Sequence, residues 1–173
     1  INNAGVETTV AAIDMPMAEW DRVMNTNLRG AFMCAREAAR VMRDQGTGGV
    51  IINNSSIHEA IPRLGLVHYA ASKAALHMLT KALGLEWAEL GIRVIGVSPG
   101  AIETEMNRAE IDAFGREKFE AWIPAGRIGT VADVAEAVAF LASDRAAYIS
   151  ATTLTIDGAY MQNVIRYDPR REE

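Results

Sequence analysis

Apolar residues along this chain follow two periods. Val50-Ile51-Ile52 is unbroken and leads into Asn53-Asn54-Ser55-Ser56, which predicts a strand covered on both faces and ending in polar residues. Ile92-Arg93-Val94-Ile95-Gly96-Val97, closed by Ser98-Pro99-Gly100, and Thr153-Leu154-Thr155-Ile156, closed by Asp157-Gly158, predict two more strands. Between them lie longer stretches with helical spacing. A helix opens at 16–19, where proline suits the first turn and Glu19 suits the positive end of the dipole. A second covers 27–44 and is ended by Gln45-Gly46-Thr47-Gly48-Gly49. A third covers 69–90 and stops at Gly91. Residues 104–122 read as mixed surface helix, and 130–141 as a helix with an acidic start at Asp133. The 69–90 helix carries alanine and leucine almost all round, so it has to be covered twice, once by its own sheet and once by something else.

Strands alternating with helices predict parallel strands in a layered α/β domain, expected over 1–165, with a charged tail at 166–173. Ligands of such sheets bind beyond the carboxyl ends of the strands. Ser56, Pro99-Gly100 and Asn2-Asn3-Ala4-Gly5 all fall there, which places a site by position alone. Ile1 itself reads as the end of a strand, so the chain is expected to be the C-terminal part of a longer one.

The 173 residues, half of them apolar, suffice for one core, and the net charge of −5 argues against a nucleic-acid footprint. No apolar run approaches the roughly 18 residues of a membrane span, so a cytoplasmic protein is expected. The single cysteine, Cys34, leaves no internal disulfide or multi-cysteine metal site. Its neighbours give it the spacing of a packing residue, and no metal is expected.

Tyr69 and Lys73 stand four apart at a helix start, so both project from one face. An ammonium beside a phenol favours the phenolate and lowers its pKa from about 10, which suits proton exchange with an alcohol or carbonyl. An exposed first helical turn would show the same spacing. Ser56, thirteen residues earlier at a strand end, is placed to polarise a substrate oxygen, or to serve as a turn or cap serine. Asn27 falls at a junction of two helices, where a cap is the common role of asparagine.

Taken together, Asn2-Asn3-Ala4-Gly5, Asn27-Leu28-Arg29-Gly30, Ser55-Ser56, Tyr69-x-x-x-Lys73 and Pro99-Gly100-x-x-x-Thr104 resemble the short-chain dehydrogenase/reductase family in order and spacing. The resemblance implies a Rossmann-like doubly wound parallel sheet, of which this chain is the C-terminal part, and an oxidoreductase using NAD or NADP. It implies Tyr69 as general acid/base, Ser56 on the reacting oxygen, Lys73 lowering the tyrosine pKa and bonding the nicotinamide ribose, and Asn27 holding a relay water. Pro99, Gly100, Ile102 and Thr104 would line the carboxamide, and Asn2, Ala4 and Gly5 would support the ribose.

A narrower resemblance, to bacterial glucose 1-dehydrogenases, rests on Ser55-Ser56-Ile57-His58-Glu59-Ala60-Ile61-Pro62, Val67-His68-Tyr69-Ala70-Ala71-Ser72-Lys73 and Gly100-Ala101-Ile102-Glu103-Thr104. It implies D-glucose as substrate and Glu7, His58 and Asn107, with Ser56 and Tyr69, as its contacts. His68 and His77 receive no role; His77 reads as a satisfied packing residue. The family's glycine-rich cofactor turn does not occur in this chain, and Ile95, Ser150-Ala151 and Ala159 depart from its frequent residues. The alternatives are a 3-oxoacyl-thioester or ketone reductase on the same scaffold and a truncated, non-catalytic remnant. The resemblance also implies a homo-oligomer, a tetramer, paired through the 27–44 and 69–90 helices.

Overall fold

The computed structural model describes residues 1–105 and 107–163; the expected tail at 166–173 and the boundary at 165 lie outside them. Three strands, β1 (Gly49–Asn54), β2 (Ile92–Pro99) and β3 (Thr152–Ile156), form one parallel sheet in the order β1-β2-β3. Ile51 pairs with Val94 and Ile52 with Ile95, while Ile95 pairs onward with Thr152. Beyond the free edge of β1, Asn2 bridges Asn53 in the parallel sense, so the opening residues do run as a strand end.

Side chains alternate across the sheet, and each face buries its own core. Ile51, Ile92 and Val94 pack with Ala35, Ala39 and Leu83 on one side; Ile52, Ile95 and Val97 pack with Leu141 and Ala146 on the other. At roughly 1.5–3 kcal/mol for each fully buried aliphatic side chain, these two layers hold the strand ends where the site forms.

The helices are α1 (Met17–Met24), α2 (Ala31–Gln45), α3 (Val67–Glu86), α4 (Arg108–Phe114), α5 (Arg116–Glu120) and α6 (Val131–Ala142). Four expectations change, the last being the packing role of Cys34. The helix expected at 27–44 continues α1 through a π-helical segment, Asn25–Gly30, into α2, so Asn27 lies inside a widened turn and is not a cap. The 69–90 helix begins at Val67 and passes into a 3-10 turn over Ala88–Leu90 before Gly91, whose φ of +69° ends it. The 104–122 stretch splits into α4 and α5 at Gly115, whose φ of +102° no helix continues through. Cys34 is exposed, because the helical repeat turns Ala31, Ala35 and Ala39 inward and leaves position 34 outside. The acidic start of α6 is as expected: Thr130 and Asp133 form a reciprocal capping box.

Candidate active site

Ser56 leaves the end of β1 extended and its hydroxyl accepts from the His58 backbone N–H at 3.2 Å, capping a 3-10 turn, Ile57–Glu59. The capping role and the candidate catalytic role therefore fall on one side chain, which is buried. The turn faces the start of α3. There the Ser56 side chain hydrogen-bonds the half-buried Tyr69 phenol, and the His58 ring meets the Tyr69 ring edge-on at 6.1 Å between centroids. The His58 Nδ1 lies 3.0 Å from the Ile61 carbonyl oxygen. One helical turn on, Lys73 is 4% exposed and donates its ammonium to the Asn54 carbonyl at 2.8 Å, with its Nζ 5.4 Å from the Tyr69 ring centroid. Strand β1 and helix α3 thus bring Ser56, Tyr69 and Lys73 together.

Asn27 closes the site from below. Its Oδ1 accepts from the Val6 backbone N–H at 2.8 Å, and its Nδ2 donates to the Val6 carbonyl at 2.9 Å and to Ser72 Oγ at 3.1 Å. The side chain ties the opening loop to α3. A π-helical turn at this point presents it, and such turns recur at functional sites. Gly5 lies so close that a Cβ there would stand 3.6 Å from Lys73 Nζ and 3.7 Å from Asn27 Oδ1. Ala4, Gly5 and Glu7 are exposed beside this buried lysine. Asn2 is spent on the fold: its backbone pairs with Ile52 and Asn54, and its amide donates to Asn53 Oδ1 at 2.8 Å and to Ala31 O at 3.3 Å.

The other expected cofactor and substrate residues lie in the loop after β2, which is built on the end of β3 and on Gly129 and not on Ser56, Tyr69 or Lys73. Gly100 donates its N–H to Ile156, and a Cβ there would collide with Asp157, so glycine is required for the close approach of β2 and the end of β3. Ile102 bridges Gly129. Asn107 builds this loop: its Oδ1 accepts from the Thr104 N–H at 2.8 Å and the Thr104 hydroxyl at 3.1 Å, and its Nδ2 donates to the Ile102 carbonyl. Three of its bonding positions are thereby taken by protein. A cavity of about 160 Å³ lies among Ala101, Ile102, Arg127, Gly129 and Asp157, and Ser56, Tyr69 and Lys73 do not line it.

The electrostatics correct one expectation. Burial raises the Tyr69 phenol above its ordinary value of 10, Ser56 opposes this, and Glu7 adds to it. Burial decides the direction: the Lys73 ammonium, donated to the Asn54 carbonyl and 5.4 Å from the ring centroid, does not bring the phenol below its ordinary value. Lys73 itself is lowered to about 8 by burial, against the opposing charges of Glu59 and Glu7.

Sequence reasoning missed two groups here. His68, fully buried, places Nε2 3.1 Å from Thr8 Oγ1, which donates to Glu19. Glu59 approaches His77 Nδ1 to 2.9 Å, with the carboxylate 8% exposed. His77 therefore carries a specific partner beyond packing. The Ser56-x-x-Glu59 spacing was a readable signal of a capped turn, but its carboxylate reaches across to α3.

The residues fit the nicotinamide-ribose end of a dinucleotide. Asn54 Oδ1 and Ser98 Oγ, at the carboxyl ends of β1 and β2, are buried without a hydrogen-bond partner, and the Asn54 carbonyl holds the buried Lys73 ammonium. Such groups are costly unless a polar ligand meets them.

The family model described as enoyl-(acyl carrier protein) reductase, a short-chain dehydrogenase model, matches residues 1–161. The chain belongs to the short-chain dehydrogenase/reductase family. It is 46% identical over 159 residues to 3beta-hydroxysteroid dehydrogenase 1 of Eggerthella lenta, spanning 91% of this chain and 61% of that protein. Among solved short-chain dehydrogenase structures, acetoin dehydrogenase YohF of Salmonella typhimurium superposes with a TM-score of 0.85 at 41% identity, covering 99% of this chain and 66% of that one. Gluconate 5-dehydrogenase of Burkholderia cenocepacia, solved with NADP and tartrate, gives 0.89 at 37% identity, covering 94% and 64%. The chain thus spans a little under two thirds of the length of these short-chain dehydrogenases. The Rossmann-type α/β fold expected from the sequence is the fold they share. Among the described residues no helix is long and apolar enough to cross a membrane, and no cluster of three or more His, Cys, Asp or Glu could hold a metal.

Proposed function

We propose that this chain carries the proton-transfer and substrate half of an NAD- or NADP-dependent oxidoreductase that interconverts a secondary alcohol and its carbonyl. The observation that carries the reading is the meeting of Ser56, Tyr69 and buried Lys73 at the carboxyl end of β1. The nicotinamide, when bound, takes or gives the hydride, and the chain supplies position and proton transfer. Ser56 donates to the reacting oxygen and Tyr69 exchanges its proton. Lys73, Gly5, Gly100 and the 102–104 loop would hold the nicotinamide ribose and carboxamide. Asn27 positions the opening loop through Val6 and, by the family resemblance, would hold a relay water.

The substrate is proposed to be a small polyol or hydroxyketone, with Glu7 and His58 offering bonds to its hydroxyls. D-glucose is the narrowest form of that proposal; the named relatives above act on a steroid, acetoin and gluconate. The test is nicotinamide reduction with D-glucose, L-rhamnose and a simple secondary alcohol, and oxidation with acetoin and an acetoacetyl thioester. It is run on the chain alone and with the upstream part of the Eggerthella lenta relative joined before Ile1. Turnover of the hydroxyl substrates is the expected result. Turnover of the thioester alone replaces the substrate class, and no turnover in either form makes the chain a non-catalytic remnant.

Phe32, Met33, Val41, Met78 and Leu85 are exposed on α2 and α3, which supports the proposed homo-oligomer. Light scattering that gives a monomer mass would remove that part of the reading.

A further inference from the structure

The opening loop runs along α3 against the direction of the helix. A Cβ on Gly5 would stand 3.6 Å from Lys73 Nζ. Val6 is held by Asn27, which bonds Ser72, and Thr8 Oγ1 lies 3.1 Å from Nε2 of His68. Glu7, between Val6 and Thr8, is therefore level with the turn of α3 that carries Tyr69. Residues 68 and 72 stand one turn apart, as do 69 and 73, so α3 bears two adjoining rows. Tyr69 and Lys73 form the reaction row; His68 and Ser72 form the row that grips the loop. His68 is fully buried. The Thr8 hydroxyl donates its one hydrogen to Glu19 of α1, whose carboxylate also accepts from Arg22 at 2.6 and 2.9 Å. Arg22 first and Thr8 second lower the Glu19 carboxyl to about 2, so it remains an acceptor near neutral pH. Thr8 then has only lone pairs to offer His68. The bonds therefore run one way, from His68 Nε2–H to Thr8 and from Thr8 to Glu19, and His68 Nδ1 is left buried without a hydrogen-bond partner.

We propose that His68 is a positioning residue for substrate recognition: through Thr8 and Glu19 it pins one side of Glu7 while Asn27 pins the other, so that the Glu7 carboxylate stands fixed beside Tyr69 and selects substrates with a second hydroxyl next to the reacting carbon. The inference deepens the dehydrogenase reading and rests on it. A carboxylate only accepts hydrogen bonds, so it favours a neighbouring hydroxyl and gains nothing from a monohydroxy alcohol. A free loop would have to be ordered at each binding event, and two flanking anchors remove that entropic cost in advance. Glu7 is exposed and able to meet a ligand, and its charge acts on both Tyr69 and Lys73, in keeping with its place beside their row.

The experiment measures kcat and KM for a substrate with adjacent hydroxyl and carbonyl-forming groups (D-glucose or acetoin) and for 2-propanol, in the form of the chain that turns over. Thr8→Val and His68→Leu are expected to raise KM for the first class by at least about tenfold, the effect of losing a hydrogen bond to a charged group. Their kcat, and their kcat/KM for 2-propanol, are expected to stay within about twofold of the wild type. His68→Gln, whose amide can donate in place of Nε2–H, is expected to restore most of the loss. Glu7→Ala is expected to raise the same KM, and the double variant T8V/E7A to raise it no further, because Thr8 acts through Glu7. Hydrogen exchange reads the anchor without turnover: residues 6–10 are expected to exchange about tenfold faster in Thr8→Val and His68→Leu while α2 stays unchanged. Equal losses on both substrate classes, additive losses in the double variant, or an unchanged loop overturn the proposal. So does failure of both Thr8→Val and His68→Leu to fold, which would make the buried chain of bonds a structural tie. Failure of the dehydrogenase reading shows separately, as absent wild-type turnover with the exchange pattern intact, and it removes the substrate role of Glu7 as well.

Discussion

The Tyr69→Phe variant is expected to keep the fold and lose turnover by about 10²–10⁴-fold, the range that a positioned acid or base supplies. The variant removes one oxygen. The ring, its edge contact with His58 and its place in the first turns of α3 remain. Stability should change by about 1 kcal/mol, the net value of one hydrogen bond, here to Ser56. Ser56→Ala is the less clean test, because that hydroxyl also caps the 57–59 turn through His58, and loss of activity would mix chemistry with a displaced turn. The pH dependence adds a second check. The Tyr69 pKa is raised in the folded state, so above pH 10 the unfolded chain releases a proton that the folded chain retains, and stability falls. Tyr69→Phe should lose that part of the alkaline destabilisation. Wild-type-like turnover in a folded Tyr69→Phe variant would assign the proton transfer to another group.

The elements readable from the sequence were those whose signal is local. Val50-Ile51-Ile52 had to be covered on both faces, and it is, between α2 with α3 and α6. Gly46 and Gly91 stop their helices in the left-handed conformation that glycine alone adopts cheaply. Tyr69 and Lys73 at four-residue spacing share a helix face because the helix dictates it. What escaped was set by distant parts of the chain. Asn27 looked like a cap, yet its backbone is drawn into a π turn while its side chain clasps Val6, twenty-one residues earlier. Glu59 and His77 meet across eighteen residues and two elements, where no periodic pattern points. The direction of the Tyr69 shift depends on burial and on the Ser56 and Glu7 neighbours, none of which is written in a four-residue spacing. Asn107 could be named from its loop, but its three bonds to Ile102 and Thr104 follow only from the way that loop closes.

Lys73→Met is expected to cost at least about 10²-fold in turnover while leaving the melting temperature at pH 7 within a few degrees of the wild type. Two terms of opposite sign set that second outcome. Burial lowers the Lys73 pKa from 10.5 to about 8, so below pH 8 the folded state carries a charge whose penalty is on the order of 3 kcal/mol. Methionine, of similar length and able to fill the same channel, removes that penalty. It also strands the Asn54 carbonyl, which now accepts from Lys73 at 2.8 Å, at about 1–3 kcal/mol. The two nearly cancel. The pH dependence does not cancel: between pH 8 and 10.5 the unfolded wild-type chain holds a proton that the folded chain has lost, so this lysine makes stability rise with pH across that window. Thermal melts from pH 7 to 10 should show the rise in the wild type and not in Lys73→Met. A lysine whose removal leaves the fold as stable as before is not there for stability, and a near-total loss of turnover in the same variant would place its purpose in the proton and cofactor chemistry beside Tyr69. A large drop in melting temperature at pH 7 would instead make the ammonium a structural tie between α3 and the end of β1.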